Sequence, residues 1–183
     1  MYKISRHITV ADWISLTAAL LGFAALLLIV LGYAALAALA MVIAAIADYL
    51  DGRIARRLGG SHDWGKQVDS LCDVVAFAVA PAFLAWSIIA SGAASYSLGL
   101  AVTLGFMFPA MVIVAGILRL ARYNISTIRG LYVGMPITMN GIIFPVVWLA
   151  TFGLSIEISA VIMAATCVAS SVLMVSNFII RKR

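Results

Sequence analysis

Between Trp13 and Ala47 the chain carries no charged residue, and the same holds from Val74 to Leu118 and from Ile158 to Ile180. Runs of that length are at home in one solvent only. A water-soluble domain of this size still exposes roughly a third of its unfolded-chain area, and 65% hydrophobic against 10% charged residues leaves too little polar surface to cover it. Lipid must take that place. A spanning helix needs about 20 mostly apolar residues, because about 30 Å of hydrocarbon is crossed at about 1.5 Å per residue. Six segments fit: Trp13 to Leu31, Tyr33 to Ala47, the stretch after Asp69 to Ala90, a fourth from the Ser91 to Ser97 turn to Leu118, Gly134 to Phe152, and Ile158 to Ile180. The expected fold class is an all-α integral membrane protein of six transmembrane helices, one domain over 1–183. Prolines at 81, 109, 136 and 145 fall within or at the ends of these helices, which is tolerated in lipid where neighbours satisfy the freed carbonyls.

The few charges are not spread evenly. All 12 Lys and Arg residues lie before the first segment, between the second and third, between the fourth and fifth, or after the sixth. The turns at Gly32, Ser91 to Ser97 and Gly153 to Glu157 hold none, so the positive-inside rule places both termini in the cytoplasm. Six of the seven acids share that side, and Glu157 stands alone opposite. The first eight residues are too short and polar for a signal peptide. They read as an interfacial segment, with Tyr2, Ile4 and Ile8 toward lipid and Lys3 and Arg6 toward headgroups. Cys72 and Cys167, isolated in apolar segments, read as packing residues rather than a disulfide.

The acids form a pattern. The second helix runs past the membrane edge through Asp48, Asp51, Gly52, Arg53, Ala55, Arg56 and Arg57 until Gly59-Gly60 ends it. The third starts near Asp63, a candidate N-cap, and carries Gly65, Asp69 and Asp73. At about 100° per residue, Asp48, Asp51, Gly52 and Ala55 share one arc with Arg56 at its edge. Gly65, Asp69 and Asp73 are successive i, i+4 neighbours on one stripe. A short loop makes the two helices antiparallel neighbours, so four carboxylates are expected to converge at the cytoplasmic edge. Two like charges about 4 Å apart repel by about 4 kcal/mol at an effective dielectric of 20, so the cluster needs protons or cations. Hard oxygen donors select Mg²⁺ or Mn²⁺, with room for two ions. The small residues on these faces leave space for a nucleotide, and Arg56 offers a fork to phosphate oxygens. A divalent-cation transporter would also use membrane carboxylates, but these lie at one edge, with no charged residue continuing the path toward Glu157.

Asp48, Asp51, Gly52, Ala55, Arg56, Gly65, Asp69 and Asp73 reproduce the pattern D-x2-D-G-x2-A-R-x8-G-x3-D-x3-D, by which the chain resembles the CDP-alcohol phosphotransferase family. With eight fixed positions, a random match at a given start has a chance on the order of 10⁻¹⁰. The run from Asp69 to Pro81 is similar to D-S-L-x-D-x2-S-F-G-V-A-P of the serine-accepting branch, with Ala76 in place of Ser and Ala78 in place of Gly. Three further stretches look like that branch: Arg119-Leu120-Ala121-Arg122-Tyr123-Asn124, Gly134-Met135-Pro136-Ile137 and Leu173-Met174-Val175-Ser176.

The resemblance implies an enzyme of phospholipid biosynthesis whose donor is a CDP-linked lipid, ester or ether. Serine's hydroxyl attacks the lipid-side phosphorus and CMP leaves; glycerol phosphate and inositol phosphate are the alternative acceptors. It implies Asp48, Asp51, Asp69 and Asp73 as metal ligands, Asp73 also as the base, and Gly52, Ala55, Arg56 and Gly65 as CDP-binding residues. Serine's carboxylate needs a cation, for which Arg119 and Arg122 are best placed, with Asn124 near its amine. Arg129 is next in line, and Thr9 and Asp12 start the first helix on the same layer. A homodimer in the cell membrane, its site facing the cytoplasm, is expected, with no nucleic-acid partner.

Overall fold

A computed structural model describes residues 10–57, 63–125, 131–177 and 179–181, with side chains at 10–11, 51–52, 54–57, 63, 131–133 and 179–181 outside the description. The expected interfacial segment before Val10, the Gly59-Gly60 stop, Thr9 and Arg129 also lie outside the described residues. Seven α-helices account for most of the rest: α1 Val10–Val30, α2 Ala34–Arg57, α3 Asp63–Asp73, α4 Ala80–Ala94, α5 Leu98–Ile125, α6 Asn140–Ala150 and α7 Ile156–Val175. A wide π-helical turn, Val74–Val79, joins α3 to α4 as one rod, and a 3₁₀ turn, Ile137–Met139, leads into α6. Two three-residue strands, β1 Leu131–Val133 and β2 Ile179–Arg181, form an antiparallel ribbon in which Leu131 faces Arg181 and Val133 faces Ile179.

Among the described residues four helices are long and apolar enough to cross a membrane: Asp12–Val30, Trp64–Ala94, Leu98–Ile125 and Ile156–Val175. The apolar parts of the remaining two, Ala34–Leu50 and Ile137–Ala150, are shorter. The segments thus follow the expected order, but their ends move. The fifth was expected from Gly134, yet Gly134 to Pro136 is not helical: Gly134 has φ +75° and Pro136 is extended. The sixth was expected to reach Ile180 and ends instead at Val175, with Ile179 in the ribbon. The fourth runs beyond Leu118 to Ile125, so Arg119 and Arg122 sit on helix rather than loop.

The turn between α1 and α2 is as short as its sequence suggests. Gly32, at φ +82°, ends α1 with the paired bonds of a Schellman motif: Tyr33 N–H donates to Leu28 O at 2.8 Å and Gly32 N–H to Ile29 O at 3.0 Å. Across the membrane layer the usual arrangement of sizes is inverted. The interior is built largely of alanine, including Ala25, Ala37, Ala44, Ala76, Ala78, Ala80 and Ala85, while large side chains such as Leu20 (67% exposed) and Phe106 (72% exposed) face outward. Small residues inside let helix backbones approach where no hydrophobic force drives them together. Cys72 and Cys167 are buried free thiols, as packing residues should be.

Three close approaches surround the wide turn. A Cβ on Gly22 of α1 would stand 2.6 Å from Ala76 Cα, and one on Gly141 of α6 would stand 2.8 Å from the Phe77 ring. One on Gly116 of α5 would stand 3.1 Å from Ala78 Cβ. Residues 76–78 are therefore gripped from three sides and fully buried.

Gly134 is another position that accepts glycine alone, since a Cβ there would meet Met174 O at 2.6 Å on top of the unfavourable φ. Gly134→Ala is expected to lower stability by about 1–3 kcal/mol, read as a lower melting temperature in detergent. Gly99→Ala, in the first turn of α5 with open space around the missing Cβ, is expected to be neutral or slightly stabilising.

Candidate functional site

Three of the four expected carboxylates meet. Asp48 comes from α2, and Asp69 and Asp73, one helical turn apart, from α3; one oxygen of each lies within 4.8 Å of the other two. Asp51, Gly52, Ala55 and Arg56 continue the same end of α2, with side chains outside the described residues, and Gly65 lies in the first turn of α3. The expected packing of α2 directly on α3 is corrected. Among the described residues α3 packs on α1, and α2 and α3 scarcely touch. The carboxylate oxygens therefore meet at their tips, across a space that the two helix backbones do not close.

The walls of that gap are specific. Ser15 on α1, 5% exposed, donates its hydroxyl to Asp69 Oδ1 at 3.3 Å. Asp12, one turn before it, is buried in the first turn of α1. Sequence reading passed over Ser15, although a polar residue three positions after Asp12 in an apolar run was the available signal. Asp73 is only 9% exposed, at the point where α3 gives way to the wide turn. Hard oxygen donors this close, one of them buried, suit a divalent cation of the Mg²⁺ or Mn²⁺ kind.

The expected acceptor residues divide between two places. Arg119 on α5 is 9% exposed, within electrostatic reach of Asp73 and Asp48, and its guanidinium lies over the Tyr123 ring at 5.9 Å. Among the described residues its buried Nε has no hydrogen-bond partner. Arg122, one turn further, turns to the end of α7: Nη1 donates to Val175 O at 3.0 Å and Asn177 Oδ1 at 3.3 Å, and Nη2 to Met174 O at 3.0 Å and Ser176 O at 3.3 Å. These are the carbonyls a helix C-terminus leaves without intrahelical donors. Met135 N–H donates to Leu173 O at 3.0 Å beside them. Asn124 faces α3, its Nδ2 donating to Ser70 Oγ at 3.0 Å and its Oδ1 accepting from the same hydroxyl at 3.3 Å. The three distant stretches around Arg122, Gly134 and Met174 thus form one junction.

A sequence profile described as CDP-alcohol phosphatidyltransferase matches residues 8–180. The chain belongs to that family. Among its relatives, the CDP-diacylglycerol–serine O-phosphatidyltransferase of Methanocaldococcus jannaschii is 32% identical over 143 residues, 78% of this chain and 62% of the relative. The archaetidylserine synthase of Methanothermobacter thermautotrophicus is 34% identical over 178 residues, 96% of this chain and 70% of the relative. A CDP-diacylglycerol–serine O-phosphatidyltransferase of Bacillus subtilis is 36% identical over 95 residues, about half of either chain.

For this CDP-alcohol phosphatidyltransferase the junction has a mechanical consequence. Hydrogen bonds from a charged donor contribute about 1.5–3 kcal/mol each, and Arg122 makes several that are not independent. Arg122→Ala is expected to destabilise the protein by about 2–4 kcal/mol, seen as early melting in detergent. Arg122→Lys, which keeps charge but loses the planar fork, should recover only part.

Proposed function

We propose that this chain transfers the lipid phosphoryl group of a CDP-linked lipid to the hydroxyl of L-serine, releasing CMP. The observation that carries the proposal is the convergence of Asp48, Asp69 and Asp73 within a chain that matches the CDP-alcohol phosphatidyltransferase profile. Asp51 completes a set of four ligands for two ions of Mg²⁺ or Mn²⁺. When bound, such ions neutralise the pyrophosphate and stabilise charge on the departing oxygen.

The chain's own residues do the rest. Gly52, Ala55 and Gly65 leave room for the cytidine, and Arg56 pairs with a phosphate oxygen. Asp73 accepts the proton of the serine hydroxyl while its oxygen bonds to the lipid-side phosphorus and the bond from that phosphorus to the CMP oxygen breaks. Asp48 from α2 and Asp69 from α3 would hold the divalent ions against which the donor's phosphates seat, so that both reactants are aligned before bonds change. A carboxylate is a weak base toward an alcohol, so the proton moves late, as the new bond is largely formed.

Acceptor recognition falls to Arg119. A buried cation whose Nε has no acceptor is suited to an incoming carboxylate, and its nearness to Asp73 sets the serine hydroxyl beside the base. Arg122 and Asn124 shape the same wall, Arg122 by holding α7 and Asn124 by holding α3. We further propose a single membrane domain of six spanning helices with both termini cytoplasmic, in which the polar ends of α2 and α3 bring the site to the cytoplasmic face of the cell membrane. The small-residue helix faces support a homodimer.

The test is an acceptor screen. Purified protein with Mn²⁺ or Mg²⁺ is given ester- and ether-linked CDP-lipids with serine, glycerol phosphate or inositol phosphate, and CMP is measured. Release with serine is expected; release with glycerol phosphate and none with serine would overturn the acceptor. Arg119→Lys should raise KM for serine about tenfold, by replacing a fork with a point charge, and leave KM for the CDP-lipid within about twofold.

A further inference from the structure

The wide turn after Asp73 has a cause in the sequence. Pro81 has no N–H to offer the carbonyl four residues back, and its ring crowds that carbonyl. That residue is Phe77, inside the turn Val74–Val79, where Ala80 N–H reaches five residues back to Val75 O. Phe77 O is instead met from another helix: Asn140 at the start of α6 donates Nδ2 to it at 3.0 Å. Asn140 is fully buried, and its Oδ1 accepts from Ser170 Oγ of α7 at 2.6 Å. Nδ2 also approaches Met174 Sδ at 3.6 Å. A chain of hydrogen bonds therefore runs from α7 through α6 to the one carbonyl that Pro81 leaves without its usual donor.

The position of that carbonyl matters because Asp73 is the residue from which the turn springs. A π turn holds one residue more than the α turn it replaces, so losing it would rotate everything on its N-terminal side by about 100° relative to α4. Gly22, Gly116 and Gly141 press residues 76–78 from three helices, fixing where the turn sits. They supply no donor to Phe77 O. In an apolar interior an unmade bond to a carbonyl is strongly unfavourable. Rewinding to α would not supply one, because Pro81 still stands four residues on. Without Asn140 the turn is driven to slide until Ala82 N–H, five residues on, reaches Phe77 O, which moves the extra residue past 76–78 and re-aims Asp73.

We propose that Asn140 and Ser170 are positioning residues for the transfer reaction: by holding Phe77 O they keep the wide turn in its place after Asp73 and so aim the Asp73 carboxylate at Asp48 and Asp69. The inference rests on the proposed function in assigning Asp73 to the chemistry. Nothing in it depends on which alcohol is the acceptor.

Ser170→Ala keeps the volume at Asn140 and removes only the bond that orients it; Asn140→Ala removes the donor. Both are measured as purified, monodisperse protein for melting temperature, for kcat and KM with CDP-lipid, and for Mn²⁺ affinity by electron paramagnetic resonance. The expected result is a kcat lower by about tenfold in Ser170→Ala and more in Asn140→Ala, with KM for CDP-lipid within about twofold. Mn²⁺ affinity should weaken by about tenfold, the scale seen when a group orienting a metal ligand is removed. A merely structural pair would lower the melting temperature and leave the other quantities alone. Should Asn140→Ala fail to fold, Ser170→Ala decides: wild-type kcat or wild-type Mn²⁺ affinity in that variant overturns the inference. If the unaltered protein releases no CMP with any alcohol, the proposed function falls and takes the inference with it; an active parent with unchanged variants sinks the inference alone.

Discussion

Everything near the site depends on how tightly three helices close around residues 76–78. In a bilayer there is no hydrophobic force to push helix against helix, so cohesion must come from contact and from polar groups that find each other. Here contact is made by omission: Gly22, Gly116 and Gly141 lack the side chains that would collide with Ala76, Ala78 and Phe77. One exchange makes the point. Ala78 stands where the resembled serine-branch segment has Gly, and the extra methyl fits because Gly116 opposite has none. With that grip in place, α3 can lean on α1 and leave its acidic face turned toward α2 without packing against it. A looser core would let the carboxylates relax apart, since three of them within 4.8 Å repel one another and supply no cohesion of their own.

The carboxylates were the most legible part of the chain. Asp69 and Asp73 obey the i, i+4 rule on a helix whose start is marked by Asp63, and Asp48 lies on the matching arc of α2, so periodicity alone predicts that they face each other. What periodicity could not supply was the distance between the helices, which depends on α1 packing against both of them. Span ends were read less well for a chemical reason. Gly134, Met135, Phe178 and Ile179 are as apolar as a membrane helix, and only Gly134 and Pro136, a pair of turn formers in three residues, hint that the helix has not begun. Polar residues inside apolar runs were the signal left unused. Ser15, Asn140 and Ser170 each look unremarkable in a composition count, yet each makes a bond across helices to a carboxylate, carbonyl or amide.

Arg122 shows the opposite failure of legibility. Its position near a cytoplasmic helix end and its branch-like neighbours suggested a ligand-binding cation beside Arg119. The structure gives the two arginines, one helical turn apart, different surroundings: Arg122 reaches the last carbonyls of α7, while Arg119 stays buried near the carboxylates. No local pattern announces this, because the partners of Arg122 are backbone atoms more than fifty residues away. Residue type and depth in the membrane are the same for both; only the direction of the helix face separates them.

The two sides of the candidate site are therefore built in different ways. The carboxylate side comes from one continuous stretch, Asp48 to Asp73, bound to the rest of the fold through Ser15 and the buried turn that follows it. The other side is assembled from the end of α5, the non-helical run at Gly134 and the end of α7, held together by Arg122, by Met135 N–H on Leu173 O, and by the ribbon of β1 and β2. Asn124 with Ser70, and Asn140 with Phe77 O, bond across from one side to the other. Away from Asn124, Asn140 and Ser170, substitutions at the ends of α5 and α7 can reshape one wall without touching the helix that carries Asp69 and Asp73. On the proposed reading, that separation lets the acceptor side vary while the acidic motif stays fixed, and the acceptor side is the wall that local sequence patterns reveal least.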